Sequence, residues 1–400
     1  MTIPITGPLW SKNFIALALS NALLFSGFHL TMPVLPIFIA DFGGSDSQIG
    51  LVMGSFTFSA VAVRLFTDAG ISRLGKKRFL LIGMFVSVLS AGVYYWADTV
   101  GLAVVVRLFH GLGFGIATTM YATLAVDIIP AARRGEGLGY FGLGSTVSLA
   151  VSPALGVWLA ADLGYGALFA AAVAGQLIAV LAMGAFPSPP AVPAGAARAI
   201  GDISLLDRLM ERKAAFPALL CLMTGAAAGG VIGFVTLLAK SAGLTTVGYF
   251  FTVSTLFVFL ARLFVGRIFD RRGPALVIIP GAICLGIGQL VLAHTASTPV
   301  LLTAAAFHGL GLGILFPSLQ AWMVGLVPPE RRAAVNATYY NFIDSGIGGG
   351  VILLGFVAEA EGYSAVYLAA AAVMVLFIAV YAGYLVRGRP PATGKVNPGG

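Results

Sequence analysis

Long apolar runs separated by short polar connections dominate the chain. Twelve runs can be read along its 400 residues, with approximate bounds 14–40, 48–72, 78–97, 100–128, 138–161, 164–187, 214–239, 246–270, 275–296, 299–327, 333–358 and 363–386. Each has about 20 residues or more, and a helix of that length crosses a hydrocarbon layer of about 30 Å. The pattern therefore predicts twelve membrane-spanning helices.

The composition also indicates a protein built for lipid. Only 10% of the residues are charged and 59% are hydrophobic, whereas soluble domains carry about 25% charged residues. The net charge of +8 does not indicate nucleic-acid binding, because the basic residues stand in short groups between apolar runs. Cys221 and Cys284 lie inside such runs, so we expect small buried hydrophobes and neither a disulfide framework nor a metal site.

The chain repeats itself at an offset of 198 positions. The segment FHGLGFG at 109–115 aligns with FHGLGLG at 307–313, and further matches extend without a gap from Arg64, aligned with Arg262, to Arg134, aligned with Arg332. A match of this extent indicates an internal sequence repeat of two units. Each unit then holds six of the predicted spans.

The lysines and arginines predict the orientation. Nineteen of the 23 lie in alternate connections, whereas the opposite connections carry aspartates and glutamates with Lys240 as their one basic residue. Because cytoplasmic connections are rich in lysine and arginine, we predict that both termini are cytoplasmic. The membrane is predicted to be the bacterial cytoplasmic (inner) membrane.

A Pro- and Ala-rich segment separates the two units. The predicted division is an N-terminal six-helix bundle at 1–187, a cytoplasmic linker at 188–213, a C-terminal six-helix bundle at 214–387 and a disordered cytoplasmic tail at 388–400. Within the linker, Ile203, Leu206, Leu209 and Met210 share one helical face, and charged residues that include Glu211 lie largely opposite. This pattern predicts a short helix lying on the inner membrane surface.

Several short motifs occur at defined places in the spans. The motif G-x-x-x-D-R-x-G follows the second span of the second unit and comprises Gly266, Asp270, Arg271 and Gly273. In the first unit the motif is broken, and its residues are Asp68, Ser72, Arg73, Gly75, Lys76 and Lys77. The fourth span reads Arg107-x-x-His110-Gly111-x-Gly113, the fifth contains Ser152-Pro153-Ala154-Leu155-Gly156, and the first contains Met32-Pro33-Val34-Leu35-Pro36.

These motifs and the twelve spans resemble the major facilitator superfamily over essentially the whole chain. The fourth-span motif resembles R-x-x-Q-G-x-G of proton-linked members, with His110 in place of glutamine, and the two proline motifs resemble signatures of the twelve-span drug:proton antiporter branch. The resemblance implies an all-α membrane protein with two pseudo-symmetric six-helix bundles, the major facilitator fold. It also implies a central cavity that works by alternating access.

The resemblance implies a gating role for Asp270 and Arg271. A glycine four residues before an aspartate lets two helices approach closely, and an aspartate is stabilised at the N-terminus of a neighbouring helix. A contact that forms in one state and breaks in another is a gate. The alternative is that the arginines only enforce topology. For Asp68, one turn from the motif position, both interpretations stay open.

The basic residues of the first-unit motif suggest one ion pair. Asp127, at the cytoplasmic end of the fourth span, is expected to pair with Lys76 or Lys77 as part of the structure. The resemblance implies that this pair also helps gating.

Asp344 lies deep inside a predicted span. At about 1.5 Å per residue it is about 16 Å past the start of the span. It shares a polar helical stripe with Asn336, Tyr340 and Asn341, which is untypical of a lipid-facing surface. Ionisable groups in hydrocarbon face a cavity or a partner. Asp344 is therefore a candidate proton carrier or a counter-charge for a cationic substrate; the alternative is a structural acid paired with a base on an adjoining helix.

The fourth span contributes further candidates for the proton and substrate pathway. Arg107 lies about 10 Å into the span and must be paired with something, and His110 lies one turn deeper. His308 is the repeat mate of His110, and His29 lies in the outer half of the first span. Histidines relay protons or bind substrate. The alternative is that they hydrogen-bond neighbouring helices where the Gly-x-Gly-x-Gly run lets backbones approach.

Together these features predict a secondary active transporter that exports a small amphipathic or cationic compound in exchange for protons. Proton-coupled nutrient uptake and a lipid or lipid-linked sugar flippase are the alternatives. A receptor or scaffold is disfavoured because no soluble sensory domain is attached. An enzyme is disfavoured because the sequence shows no paired catalytic constellation. Transport driven by ATP is disfavoured because the sequence contains no Walker motif. We expect no cofactor and no metal; the expected partners are the substrate, protons and the bilayer, and the expected state is a monomer.

Overall fold

A computed structural model of the chain describes residues 9–130, 133–186, 210–328 and 331–387. Regular structure within these ranges is entirely helical. The predicted surface helix up to Leu209 and the predicted tail at 388–400 lie outside the described residues. The side chain of Asp68 does as well.

The chain divides into two compact units, Met1–Asp202 and Ile203–Gly400. The helices of the first unit are α1 Lys12–Thr31, α2 Leu35–Asp41, α3 Asp46–Arg64, α4 Thr67–Leu74, α5 Lys76–Val93, α6 Val100–Ile128 and α7 Arg134–Gly184. Those of the second unit are α8 Ala215–Ser241, α9 Val247–Arg272, α10 Ala275–Ala293, α11 Thr298–Gly325, α12 Arg332–Glu361 and α13 Tyr363–Val386.

Ten helical segments in the described ranges are long and apolar enough to cross a membrane. The long helix α7 contains two of the predicted runs. Gly164, with φ 83° and ψ 170°, separates them. The second predicted run is divided between α3 and α4. The twelve predicted runs therefore all occur as helices, although two of them are joined and others are broken.

The break in the first span follows from its prolines. Helix α1 ends at Thr31, and α2 begins at Leu35 with Pro36 in its first turn. Proline has no backbone N–H and its ring clashes with the preceding helical turn. The prolines at 33 and 36 thus account for the interruption between α1 and α2.

The repeat is visible in the backbone. Gly75 and Gly273 have φ 77° and 80°, with ψ 156° and 171°, where one helix ends and the next begins. Gly164 and Gly362 show the same geometry, with φ 83° and 80° and ψ 170° and 177°. Only glycine adopts this region without strain. Both pairs are separated by the offset of the sequence repeat.

Glycines in the fourth span of each unit allow close helix packing. A Cβ on Gly111 would collide with the carbonyl oxygen of Phe56 on α3, and one on Gly113 would lie 2.6 Å from the backbone nitrogen of Ser87 on α5. Gly309 meets the backbone of α9 in the same way. The predicted close backbone approach along this glycine run is therefore confirmed.

Each unit has its own apolar core. In the second unit the core includes Leu285, Leu315, Trp322 and Cys221, and Cys221 is fully buried. Cys284 is only half-buried, so the expectation of a buried Cys284 was wrong. Cys284 follows Ile283, which is 44% exposed, so this side of α10 is not fully covered by the protein.

Candidate functional site

A buried arginine forms the centre of a cluster in the first unit. We define the Arg107 cluster as Arg107, His110, Tyr94, Phe28 and Phe56. The Arg107 side chain is 1% exposed and His110 is fully buried. Arg107 Nη1 donates to Tyr94 Oη at 3.5 Å, and a 3.2 Å hydrogen bond joins Tyr94 Oη to His110 Nδ1. The tyrosine therefore bridges the two predicted candidates.

Two phenylalanine rings complete the surroundings of the guanidinium. Its central carbon lies 4.4 Å from the ring centroid of Phe56 and 5.9 Å from that of Phe28. The two rings stack on each other with centroids 4.9 Å apart. Ring faces attract a cation, more strongly where water is absent. The expectation that Arg107 is paired is met by a phenol and two rings, with no carboxylate hydrogen-bonded to it in the described ranges.

Two polar atoms of the Arg107 cluster remain unsatisfied. Arg107 Nε and His110 Nε2 are buried and have no hydrogen-bond partner among the described residues. Buried polar groups in folded proteins are nearly always hydrogen-bonded. The cluster therefore offers unused hydrogen-bonding capacity in an apolar, aromatic environment.

His29 connects a different pair of helices. A 2.9 Å hydrogen bond joins His29 Nδ1 on α1 to Ser148 Oγ on α7, and both side chains are buried. The His29 ring also lies 5.4 Å from that of Phe28, which belongs to the Arg107 cluster. The structure therefore places His29 beside the cluster without a direct hydrogen bond to it.

The second unit has the histidine but not the arginine. His308 is 4% exposed, its Nδ1 has no hydrogen-bond partner, and its ring lies 5.9 Å from Phe250. The positions equivalent to Arg107 and Tyr94 hold Ala305 and Leu292. The Arg107 cluster is thus a feature of the first unit alone.

A cavity of about 610 Å³ lies within the second unit between α9, α11 and α12. It is lined by Arg262, Val265, Gly266, Phe269, Asp270, Phe316, Pro317, Ser318, Gln320, Ala321, Tyr339 and Tyr340. The lining carries one positive and one negative side chain, an amide, two phenols and two phenyl rings. Such a mixture of apolar walls and a few polar groups is typical of small-molecule sites.

The G-x-x-x-D-R-x-G motif of the second unit borders this cavity. Gly266 and Asp270 line it, Arg271 is exposed, and Gly273 forms the turn that follows α9. A Cβ on Gly266 would meet no atom within 4 Å. The expectation that Gly266 lets two helices approach closely was therefore wrong for this structure, because the glycine faces open space.

The polar stripe of α12 lies partly on the cavity. Gln320 Nε2 donates to Asn336 Oδ1 at 2.9 Å, and the Tyr339 hydroxyl donates to the carbonyl oxygen of Phe316 at 3.1 Å. Tyr340 is 50% exposed and lines the cavity. The structure thus brings together two of the predicted stripe residues, Asn336 and Tyr340, with groups of α11.

The remaining stripe residues lie deeper in α12. Asn341 is buried and Asp344 is half-buried. Asp344 lies one helical turn beyond Tyr340, which lines the cavity.

Ionic contacts fasten the predicted cytoplasmic end of the first unit. Lys76 Nζ lies 2.6 Å from Asp127 Oδ2, which confirms the predicted pairing. Lys77 Nζ donates to the carbonyl oxygens of Gly184, at 2.9 Å, and Phe186, at the end of α7. Cations are stabilised at helix C-termini. The exposed Arg73 is not part of these contacts.

The sequence pattern misplaced Glu211. It was expected on the polar face of a surface helix, but its side chain is 4% exposed. Its carboxylate lies 2.9 Å from Arg331 Nε, and its backbone N–H donates to Thr338 Oγ1 at 2.8 Å. The carboxylate is buried because the end of the linker packs on the start of α12.

Three further residues were not predicted. Tyr94 stands at a span end, where tyrosine is ordinarily explained as an interfacial residue, so no local signal pointed to Arg107. Gln320 had no signal either. Arg262 did have one, since it lies inside an apolar run about 15 Å from the end of α9. Ionisable residues at such depth indicate a pathway or a partner.

Comparison with known proteins identifies the class. The family model described as Major Facilitator Superfamily matches residues 17–245 and 215–400. The chain therefore belongs to the Major Facilitator Superfamily and is a multi-pass membrane transporter.

Individual relatives agree with this assignment. An uncharacterized MFS-type transporter of Burkholderia mallei (strain SAVP1) is 30% identical over 356 residues, which cover 86% of this chain and 84% of that protein. One of Methanocaldococcus jannaschii is 21% identical over 364 residues, covering 89% and 94%. The crystal structure of a mutant of the nucleoside transporter NupG aligns with TM-score 0.78 at 15% identity, covering 93% of this chain and 99% of that chain. This last likeness shows the fold alone.

Proposed function

We propose that the protein is a proton-coupled antiporter that exports a small amphipathic or cationic compound by alternating access. One observation carries the coupling. Of the acidic residues in the described ranges, Asp344 alone lies far from any helix end or break, about 18 Å from the start of α12 at Arg332. Asp162 lies inside α7 but only two residues before the break at Gly164. The others lie near helix ends or connections.

The position of Asp344 suits a proton carrier. A carboxylate at this depth is costly unless it is paired, solvated or protonated. Protonation of the carboxylate removes its negative charge. Release of the proton restores that charge, which can then balance a cationic substrate. Because one carboxyl group cannot serve both at once, proton binding and cation binding exclude each other. Such competition at one group is sufficient for exchange.

The setting of the protein is part of the proposal. Lysines and arginines concentrate in alternate connections, which supports cytoplasmic termini in a bacterial inner membrane. The cavity of the second unit lies beside the motif predicted to be cytoplasmic, so we assign it to the inward-facing access route. We assign transport to the monomer.

The test measures proton movement in proteoliposomes that contain the pure protein. Candidate cationic drugs, amphipathic compounds and neutral nutrients are added to wild type, Asp344→Asn and Asp162→Asn. Asp162 is an exposed acid near Gly164 and serves as the matched control for loss of a carboxylate. We expect substrate-evoked proton flux, opposite in direction to the substrate, in wild type and Asp162→Asn only.

Three other outcomes would contradict the proposal. Proton and substrate movement in the same direction would establish uptake by symport. Lipid movement that is indifferent to pH would establish a flippase. Coupled flux that persists in Asp344→Asn would transfer the proton site to His110 or His308.

A further inference from the structure

We infer that the Arg107 cluster binds an acidic group of the transported compound, a carboxylate or a phosphate on a small organic anion. The inference rests on the proposed function only in that the ligand is a transported compound. It narrows the amphipathic substrates to those that carry a negative group. A zwitterion would satisfy it as well.

The positive charge of Arg107 is buried without a balancing negative charge hydrogen-bonded to it in the described part of the chain. Arg107 is 1% exposed, and guanidinium remains protonated in proteins. Its polar contact in the described ranges is a single long hydrogen bond to the neutral phenol of Tyr94. The ring faces of Phe28 and Phe56 recover only part of the cost of burying a cation. The site is therefore electrostatically incomplete, and an anion would complete it.

The equivalent position of the second unit has no arginine. The glycine run of the fourth span packs against its neighbours in the same way in both units, at Gly111 and at Gly309. In the second unit this packing occurs with Ala305 in place of Arg107. The arginine is thus not needed to assemble the helices. The free-energy cost of burying its charge is therefore not explained by helix packing.

The unsatisfied atoms define what the ligand would contact. Arg107 Nε and His110 Nε2 are buried without partners. Guanidinium presents its N–H groups as a planar fork that matches carboxylate and phosphate oxygens. The acidic group would accept from Arg107, and the neighbouring phenyl rings would contact the apolar part of the same compound.

Access requires a rearrangement of aromatic side chains. Phe28 on α1 and Phe56 on α3 stack over the guanidinium. Helix α1 ends three residues after Phe28, ahead of the break at Pro33. Separation of the two rings would expose the site, and the broken span supplies a hinge beside it.

The experiment compares three probes that share one carbon skeleton and differ in charge: 4-phenylbutyrate, 4-phenylbutanol and 4-phenylbutylamine. Binding to the detergent-purified full chain is followed by thermal stabilisation and titration calorimetry. We expect the carboxylate to bind more tightly than the alcohol and the amine. Arg107→Gln should weaken carboxylate binding about tenfold or more, because a charge-assisted contact is lost, and Arg107→Lys should restore part of it.

Two variants serve as controls. Arg133→Gln removes an exposed arginine of the same unit and should leave carboxylate binding unchanged. Asp162→Asn removes an exposed acid near Gly164 and should likewise leave it unchanged. Coupled export of amines by a protein that does not bind the carboxylate would overturn this inference while the proposed function stands.

The inference also fails in two further cases. Equal or tighter binding of the amine, or no carboxylate binding at millimolar concentration, contradicts it without any variant. Carboxylate binding that Arg107→Gln leaves intact contradicts it as well. Should Arg107→Gln not fold, Tyr94→Phe replaces it, since the phenol positions Arg107, and the expected loss is then about threefold for a neutral hydrogen bond.

Discussion

Two glycines of this protein have opposite surroundings although both belong to family motifs. At Gly111 a Cβ would collide with the carbonyl oxygen of Phe56 and the hydroxyl of Ser59, whereas at Gly266 it would meet nothing within 4 Å. Backbone atoms cannot move aside as a flexible side chain can. The motif alone does not distinguish a glycine needed for packing from one that borders a cavity.

We therefore expect Gly111→Ala to destabilise the folded protein and Gly266→Ala not to. The first substitution forces α6 away from α3, and overpacking of this kind costs about 1–3 kcal/mol or more. The second adds a methyl group in open space and lowers the intrinsic cost of glycine in a helix, about 1 kcal/mol. Apparent Tm in detergent measures both effects. A Tm of Gly111→Ala equal to that of wild type would contradict a close contact between α6 and α3 at this position.

At the scale of elements, an ion pair with unequal burial joins the end of the linker to α12. The carboxylate of Glu211 is buried and Arg331 is 55% exposed. Arg331→Gln leaves a buried charge without its partner and should cost about 3 kcal/mol. Glu211→Gln leaves an arginine that water can solvate, so the expected cost is smaller, about 1 kcal/mol. Denaturation of the purified variants measures the difference.

The repeat provides the control for this pair. Arg133 occupies the position equivalent to Arg331 and pairs with Glu136, but both side chains are more than 40% exposed, at 46% and 42%. Exposed pairs contribute about 0–1 kcal/mol, so Arg133→Gln should change stability little. Equal losses in Arg331→Gln and Arg133→Gln would contradict the burial of Glu211.

Elements were predictable where local pattern decides them and not where distant packing does. The apolar runs predicted the helices, and the repeat aligned Gly75 with Gly273, which have the same backbone conformation, one that only glycine adopts without strain. Glu211 was misplaced because its burial depends on Thr338 and Arg331, more than a hundred residues later in the chain. Because Glu211 stands among other charged residues in the sequence, the local pattern predicts a solvent-exposed side chain.

The candidate site shows the same division. Asp344, Arg107 and His110 were predictable because ionisable residues inside apolar runs are costly. Tyr94 was not, since a tyrosine at a span end has an adequate explanation at the membrane interface. Its contact with His110 depends on how α5 ends against α6, which composition and periodicity do not determine.

At the scale of the whole molecule, the two units share a backbone but differ in chemistry. The first holds a buried arginine at 107 where the second has Ala305, and the second holds an acid at 270 where the first has Ser72. Repeated backbones therefore position unlike groups. Under the two proposals, the first unit would recognise the ligand while the second would couple and gate, and the proposed gating role of Asp270 can be tested separately.

We predict that Asp270→Asn lowers transport rate while protein abundance and stability are kept. Asp270 is exposed, lines the cavity beside Gly266, and makes no hydrogen bond or ion pair with the described part of the chain. Replacing it removes no stabilising contact here, so the free energy of unfolding should change by about 0.5 kcal/mol or less. A contact made only in another conformation would still be lost. A hydrogen bond to a charged group contributes about 1.5 kcal/mol, and losing it from a rate-limiting conformation corresponds to about a tenfold change in rate.

The measurement combines initial transport rates in proteoliposomes with chemical labelling of the cavity. Tyr340→Cys places a thiol on its lining, in a Cys221→Ser, Cys284→Ser background, and a membrane-impermeant maleimide reports its accessibility. If Asp270 helps close the cavity, Asp270→Asn should raise labelling as it lowers rate, whereas Ser72→Ala, at the repeat position, should change neither. Parallel loss of rate and abundance would assign Asp270 to folding. A normal transport rate with unchanged labelling would contradict a gating role for Asp270.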